Sequence, residues 1–259
     1  MKLGIGLSLA NQRFVGGGSS FDPDYQKVLD FANSEGYTLP SAAQQIIGNA
    51  LVVTLKNLGV WNKLGSLAMF ATVGDNGFSL IDWKRLAKMT IEGTVVRTEN
   101  EGWKGNGTDG TINTGYKLQD LTQFDLDNSL GSFGAWAFDT KIFGSDALCG
   151  DGDLRNQIRG GFRDTIQGTA VNISTITTGL YMVNIDGVNA KQFINGVEVV
   201  TQTKSSTDTS YDNFQALSEG GLSNFSNDKV AILFAGGNML NEQSDFYDAL
   251  KTYMDAIAA

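Results

Sequence analysis

The sequence predicts a mainly β fold, a two-sheet sandwich or a barrel with a few flanking helices. From about Leu67 the chain breaks into short runs rich in β-branched and aromatic residues, among them "LAMFAT", "FSLIDW", "TINTGY", "FGAWAFDT", "GLYMVNID" and "KVAILFAG". Glycine and asparagine punctuate these runs, and no helical periodicity separates them, which is the pattern of packed antiparallel sheets. The only prolines are Pro23 and Pro40, so proline contradicts none of the strands.

Elements at the two ends justify the helices. Asp22 suits an N-cap and Pro23 the first helical position; Tyr25, Val28, Leu29 and Ala32 then share one face before Gly36. After Pro40, Ser41 and Gln44 have the spacing of a capping box, and Ile47, Ala50, Leu51, Leu55 and Leu58 form a stripe that ends at Gly59. This helical hairpin, residues 21–62, is too small to bury its own stripe and must dock on the sandwich, residues 63–259. Within the sandwich, Asn195-Gly196 in "QFINGVEVV" supplies the two positive-φ positions of a type I′ hairpin turn. At the other end, Asn241 or Ser244 can cap a last helix in which Phe246, Tyr247, Leu250, Tyr253, Met254 and Ile257 recur at helical spacing.

The opening "MKLGIGLSLANQRFVGGGSS" imitates an export signal, with a lysine, an apolar stretch and Ser8-Leu9-Ala10. Gly4, Gly6 and Ser8 interrupt the stretch, however, whereas a signal needs roughly 7–15 continuous apolar residues. Residues 1–20 are therefore expected to be a retained arm, with Leu3, Ile5, Leu7, Leu9 and Phe14 as its large apolar residues.

Composition removes several classes of function. With 19 Lys and Arg against 28 Asp and Glu, the net charge of −9 and pI near 4.5 oppose nucleic-acid binding, which needs clustered cations. No apolar run approaches the roughly 18 residues of a membrane-spanning helix. The chain has no histidine, which eliminates Ser-His-Asp and Cys-His constellations, HExxH zinc helices and the usual imidazole base. The single cysteine, Cys149, is expected to be a buried structural thiol.

Loop motifs supply the candidate sites. "GNGTDG" at residues 105–110 matches G-x-G-x-x-G, but a strand rather than a helix follows it, so it is expected to be a tight loop and not a dinucleotide site. Trp103 beside this loop, with Asn106 and Asp109 in it, is the candidate for stacking on and hydrogen-bonding to a sugar; Trp136 and Tyr181 are weaker candidates, with Trp136 expected in the core. No cofactor is expected, although Asp151 and Asp153 in "CGDGDLRN", two residues apart, are candidate ligands for a hard cation such as calcium. The E-x-D-x-x-E string of jelly-roll glucanases does not occur.

Taken together, "FDPDYQKVLDFANSEGYTLPSAAQQIIGNALVVTLKNLGVWNKLGSLAMFAT", "FSLIDWK", "GNGTDGTINTGY" and "EQSDFYDALKTYM" resemble virion structural proteins of phages and prophages of Bacteroidetes hosts. Those proteins carry a concanavalin A-like (laminin G-like) jelly roll. The resemblance covers residues 21–92 and 103–116 well and 133–259 more loosely. It implies a jelly-roll β-sandwich displayed on the particle as a tail, fibre, baseplate or capsid-surface component, assembled in the host cytoplasm. It further implies a non-enzymatic homo-oligomer whose partners are other virion proteins and a host surface glycan, with residues 1–20 as an extended assembly arm that attaches, through Leu3, Ile5, Leu7, Leu9 and Phe14, to a neighbouring subunit or packs along a symmetry axis. The competing expectations are a glycan-active enzyme of the same fold, with Asp109, Asp151 or Asp153 as acid and base, and a host surface lectin.

Overall fold

The structure, a computed structural model, describes residues 21–121, 130–138, 141–142, 147–150, 157–159, 175–187, 189–203, 212–218 and 224–258. The expected arm residues Leu3, Ile5, Leu7, Leu9 and Phe14 and the expected cation ligands Asp151 and Asp153 lie outside them.

The chain begins with α1 (Pro23–Ser34), α2 (Ala42–Asn57) and a single turn, α3 (Val60–Lys63). Asp22 caps α1 by accepting from the Asp24 N–H, and Ser41 caps α2 by accepting from the Gln44 N–H. Gln44 does not complete a capping box. Its amide instead accepts from the Val73 N–H and donates to Asn100, so it ties α2 to two loops of the sandwich.

Then come β1 (Leu64–Met69), the turn α4 (Asn76–Ser79), β2 (Ile81–Asp82), β3 (Ala87–Lys88), β4 (Thr90–Glu92) and β5 (Val95–Thr98). Next are β6 (Gly102–Gly105), β7 (Thr111–Asn113), β8 (Leu130–Ala137), β9 (Lys141–Ile142), β10 (Ala147–Gly150), β11 (Gln157–Arg159) and β12 (Thr175–Ile176). The chain closes with β13 (Gly179–Asp186), β14 (Asn189–Ile194), β15 (Val197–Thr203), β16 (Gln215–Ala216), β17 (Lys229–Gly236) and α5 (Gln243–Ala258).

The fold is a mainly β, antiparallel sandwich in which the chain crosses repeatedly between sheets, as in a jelly roll. One sheet of ten strands runs β15-β14-β13-β8-β17-β1-β2-β3, with β6 also on β17 and β5 on β6. The other, of five, runs β11-β10-β16-β7-β4, and β9 pairs with β12 separately. Asn195 and Gly196 turn β14 into β15 with φ of 51° and 76°, as the hairpin expectation requires.

The larger sheet is covered on both faces. Tyr181, Val183, Phe133, Ala135, Leu233 and Ala235 point toward the smaller sheet. The alternating set Leu180, Met182, Trp136, Ile232, Phe234, Leu67 and Met69 points the other way, into α1, α2 and α5. A register shift between Val230 and Ile232 and another between Leu64 and Ser66 reset that alternation in β17 and β1. The helices dock on the sandwich: Leu51, Val52 and Leu55 of α2 share one core with β1, β17 and α5. Within that core, α2 lies chiefly against α5 and only lightly against α1, so the helices form a layer rather than an isolated hairpin.

Candidate functional site

Trp103 is placed by β6, directly beside β17, where Trp103 pairs with Val230. The indole is 2% exposed, packs in the core between the sheets and donates from Nε1 to Ser79 Oγ at 3.1 Å. It offers no face to a sugar, which corrects the expectation that it stacks at the surface. Short-range pattern misled here: the glycines around Trp103 signal close backbone approach, not an exposed loop. A Cβ on Gly102 would lie 2.1 Å from the Val230 carbonyl oxygen, and one on Gly105 2.0 Å from that of Ser226.

Tyr181, 1% exposed, turns into the same core, and its hydroxyl donates to the Thr177 carbonyl. Trp136 is in the core, as expected, and stacks on Tyr247 of α5 with centroids 5.9 Å apart and planes 9° apart. Cys149 is buried.

Asn106 and Asp109 do come together at the surface. Asn106 Oδ1 accepts from the N–H groups of Thr108, Asp109 and Gly110, and its Nδ2 donates to Asp109 Oδ1 at 2.7 Å. Asp109 also accepts from the Thr94 N–H. The Asn106 donation, then the Thr94 N–H, holds the Asp109 carboxyl below the usual carboxylate range, so it stays ionised. These bonds lock "GNGTDG" as the tight loop the sequence predicts. They also consume most of the polar capacity of Asn106.

A larger polar array lies on the outer face of the smaller sheet. Residues opposite one another in an antiparallel pair share a face. Thr90 of β4, Asn113 of β7 and Gln215 of β16 stand opposite one another, and Glu92 stands opposite Thr111. Ile112 and Ala216 alternate with them and enter the core, so Thr90, Glu92, Thr111, Asn113 and Gln215 share the opposite face, on which Thr90, Glu92 and Asn113 reach solvent while Thr111 and Gln215 are buried.

Asn113 is the hub of this ladder. Its Nδ2 donates to Glu92 Oε1 at 2.9 Å, while its Oδ1 accepts from Asn213 Nδ2 at 3.1 Å and from the Gly115 N–H at 2.9 Å. Thr111, Gln215 and Ser218 continue it as a buried hydroxyl–amide network, with the Thr111 and Ser218 hydroxyls 2.7 Å apart. At its open end the Glu92 and Asn213 side chains are half-exposed and Thr90 is exposed. The locked Asp109 adjoins this end, because Gly93 follows Glu92 and a Cβ there would lie 2.1 Å from the Asp109 carbonyl oxygen.

Carboxylate, amide and hydroxyl groups fixed in one plane can exchange hydrogen bonds with vicinal hydroxyls, each group accepting, donating or both. The signal for this ladder was present in the sequence as the alternations "TIE", "TINT" and "QA", where the outward residues are Thr, Glu, Asn and Gln. Which strands adjoin, however, is a tertiary fact. Among the described residues no group of three or more His, Cys, Asp or Glu side chains is arranged to hold a metal.

No family model matches the chain, and no curated protein matches it. Among solved structures it is similar to a mutant of Trypanosoma rangeli sialidase displaying trans-sialidase activity, with a TM-score of 0.50 and 13% identity over 82% of this chain and 39% of that one. The sialidase of the same organism in complex with 2-keto-3-deoxy-D-glycero-D-galacto-2,3-difluoro-nononic acid gives 0.50 and 12%, over 82% and 40%. Domain 4 of an extracellular arabinanase from Geobacillus stearothermophilus, in complex with arabinotriose, gives 0.48 and 16%, over 71% and 98%. The chain thus spans about two fifths of the length of the sialidases it matches. At this identity the sialidase likeness shows a shared β-sandwich fold.

Proposed function

We propose that this chain is a non-enzymatic structural protein of a phage virion that contacts neutral glycans of the host surface through the ladder of the smaller sheet. The observation that carries the glycan half is the ladder itself: Glu92, Asn113 and Asn213 are held in one hydrogen-bonded row, while the opposite side of the molecule is sealed by helices. The virion half rests on the sequence resemblance over residues 21–92 and 103–116.

The same geometry disfavours catalysis. Glycoside hydrolysis needs one carboxyl kept protonated as an acid, by an environment that raises its pKa. Asp109 is pushed the other way, and Glu92 is engaged by Asn113. The described residues of the ladder include no aromatic platform, so single-site affinity would be weak, and repeated copies on a particle would supply avidity.

The test is binding of the full chain to an array of purified bacterial surface polysaccharides, beside Asn113→Ala and with melting curves of both. Binding that falls at least about tenfold in Asn113→Ala at an unchanged melting temperature is expected, since the hub orients two neighbours. Equal binding by both proteins removes the ladder from the reading. Release of reducing ends from any polysaccharide, abolished by Asp109→Asn, would replace it with an enzyme. The virion half is checked by mass spectrometry of purified particles, in which the chain must appear.

A further inference from the structure

β15 is the outermost strand of the ten-stranded sheet, hydrogen-bonded to β14 on one side and, among the described residues, to nothing on the other. Its side chains are open to solvent: Val197 is 66% exposed and Val199 41%. Exposed edges in stable proteins are usually guarded by lysine, proline or a bulge. β15 has neither lysine nor proline, and its one charge, Glu198, is engaged by Lys191 and Thr201; a register shift that sets Glu198 opposite Phe193 and Val200 opposite Gln192 leaves a bulge at Val199, so the regular edge runs from Val200 to Thr203.

A segment of matching form lies at the other end of the chain. In residues 3–9, Leu3, Ile5, Leu7 and Leu9 alternate with Gly4, Gly6 and Ser8. That period of two gives a strand one apolar face and one face of the smallest side chains. The stretch has the same seven-residue length as β15. Residues 1–20 contain Lys2 and Arg13 and no Asp or Glu, in a chain whose net charge is −9, so the arm is drawn to the acidic body.

We propose that residues 3–9 add as a strand to the free edge of β15 in a second copy of this chain, joining copies by β-augmentation. This rests on the reading of the chain as an assembling structural protein. A neighbour's edge is favoured over the chain's own by the helix layer between them, since the distance by itself is within reach of a fully extended linker. Phe21 packs on Tyr25, with centroids 5.6 Å apart, and Tyr25 on Trp83, 5.3 Å away, just after β2. From β2 to β15 are six strand-to-strand steps in the sheet order, roughly 29 Å at about 4.8 Å each. Residues 10–20 reach roughly 36–40 Å only when fully extended, and the helix layer stands across the direct path.

The test mixes full-length chains carrying Ile5→Cys with full-length chains carrying Val197→Cys under mild oxidation, with Val96→Cys as control. Val96 is 63% exposed on β5, a different edge. An interchain disulfide joining positions 5 and 197, several-fold more abundant than one joining 5 and 96, is expected. Equal yields, or none, overturn the pairing. A doubly substituted Ile5→Cys, Val197→Cys chain that closes on itself and leaves no interchain product overturns the second copy as the occupant. Light scattering of the full chain beside one lacking residues 1–20, with melts of both, separates this from the parent reading. A truncation that is monomeric and folded without position-specific cross-linking sinks the pairing alone, whereas identical masses sink assembly through the arm.

Discussion

Asp82 is a buried carboxylate whose surroundings say how it is tolerated. Its Oδ1 accepts from the N–H groups of Leu67, Lys84 and Arg85, and its Oδ2 from Ser66 Oγ at 2.6 Å. Burial raises its pKa, because these four bonds do not offset the loss of water around the charge. Since the folded value lies above the unfolded one, the native state binds the proton more readily. The cost of the charge is therefore present in full above the folded pKa and relieved as pH falls through it. An asparagine can present Oδ1 to the three N–H groups and donate from Nδ2 to Ser66, keeping every bond without the charge. Asp82→Asn is expected to unfold within about 1 kcal/mol of the parent at pH 7, and the parent should gain on it as the solution is acidified. Asp82→Ala, which leaves the buried Leu67 N–H and the part-buried N–H groups of Lys84 and Arg85 without their acceptor, should cost roughly 3 kcal/mol. Urea titrations at several pH values decide; a parent that loses ground to Asp82→Asn on acidification would mean that the carboxylate is stabilised by its bonds.

Within α2, Gly48 is the point where two helices and the sheet meet. An added Cβ would lie 2.6 Å from Tyr25 Oη and 2.7 Å from its Cζ, and Tyr25 is itself 1% exposed against Phe21 and Trp83. Helix propensity favours alanine over glycine by about 1 kcal/mol. With no room for the ring to retreat, overpacking wins, and Gly48→Ala is expected to lower stability by roughly 1–3 kcal/mol while far-ultraviolet dichroism is unchanged. A higher unfolding midpoint would show that the ring gives way. The same contrast marks what was legible in the sequence. The caps Asp22 and Ser41 and the Asn195-Gly196 turn act within a few residues, and their local chemistry is sufficient to read them. Gln44, Trp103 and the ladder around Asn113 depend on residues that the chain brings from far away. In "KVAILFAG" both faces are covered, so every position is buried and the alternation that would have told inside from outside is gone.

At the scale of the molecule, the helix layer and the sandwich share β1, β8, β13 and β17 as a common wall. Removing residues 21–62 would take Tyr25, Val28, Leu29, Leu51, Val52 and Leu55 out of the core that they share with Leu67, Met69, Ile232 and Phe234, and each large apolar side chain returned to water costs about 1.5–3 kcal/mol. Four such losses, roughly 6–12 kcal/mol, match the 5–15 kcal/mol by which whole domains are stable. The helices are therefore expected to melt with the sandwich rather than before it. Scanning calorimetry of the chain from Phe21 onward is expected to give one transition, with equal calorimetric and van't Hoff enthalpies. Hydrogen exchange should find the slowest amides of α2 and α5 opening at the same free energy as those of β17. Two resolved transitions, or helices that exchange well before β17, would make the hairpin a separate unit. Cooperative unfolding would instead assign the helices to the wall that keeps the large sheet dry, with the ladder and the β15 edge, among the described residues, facing away from it.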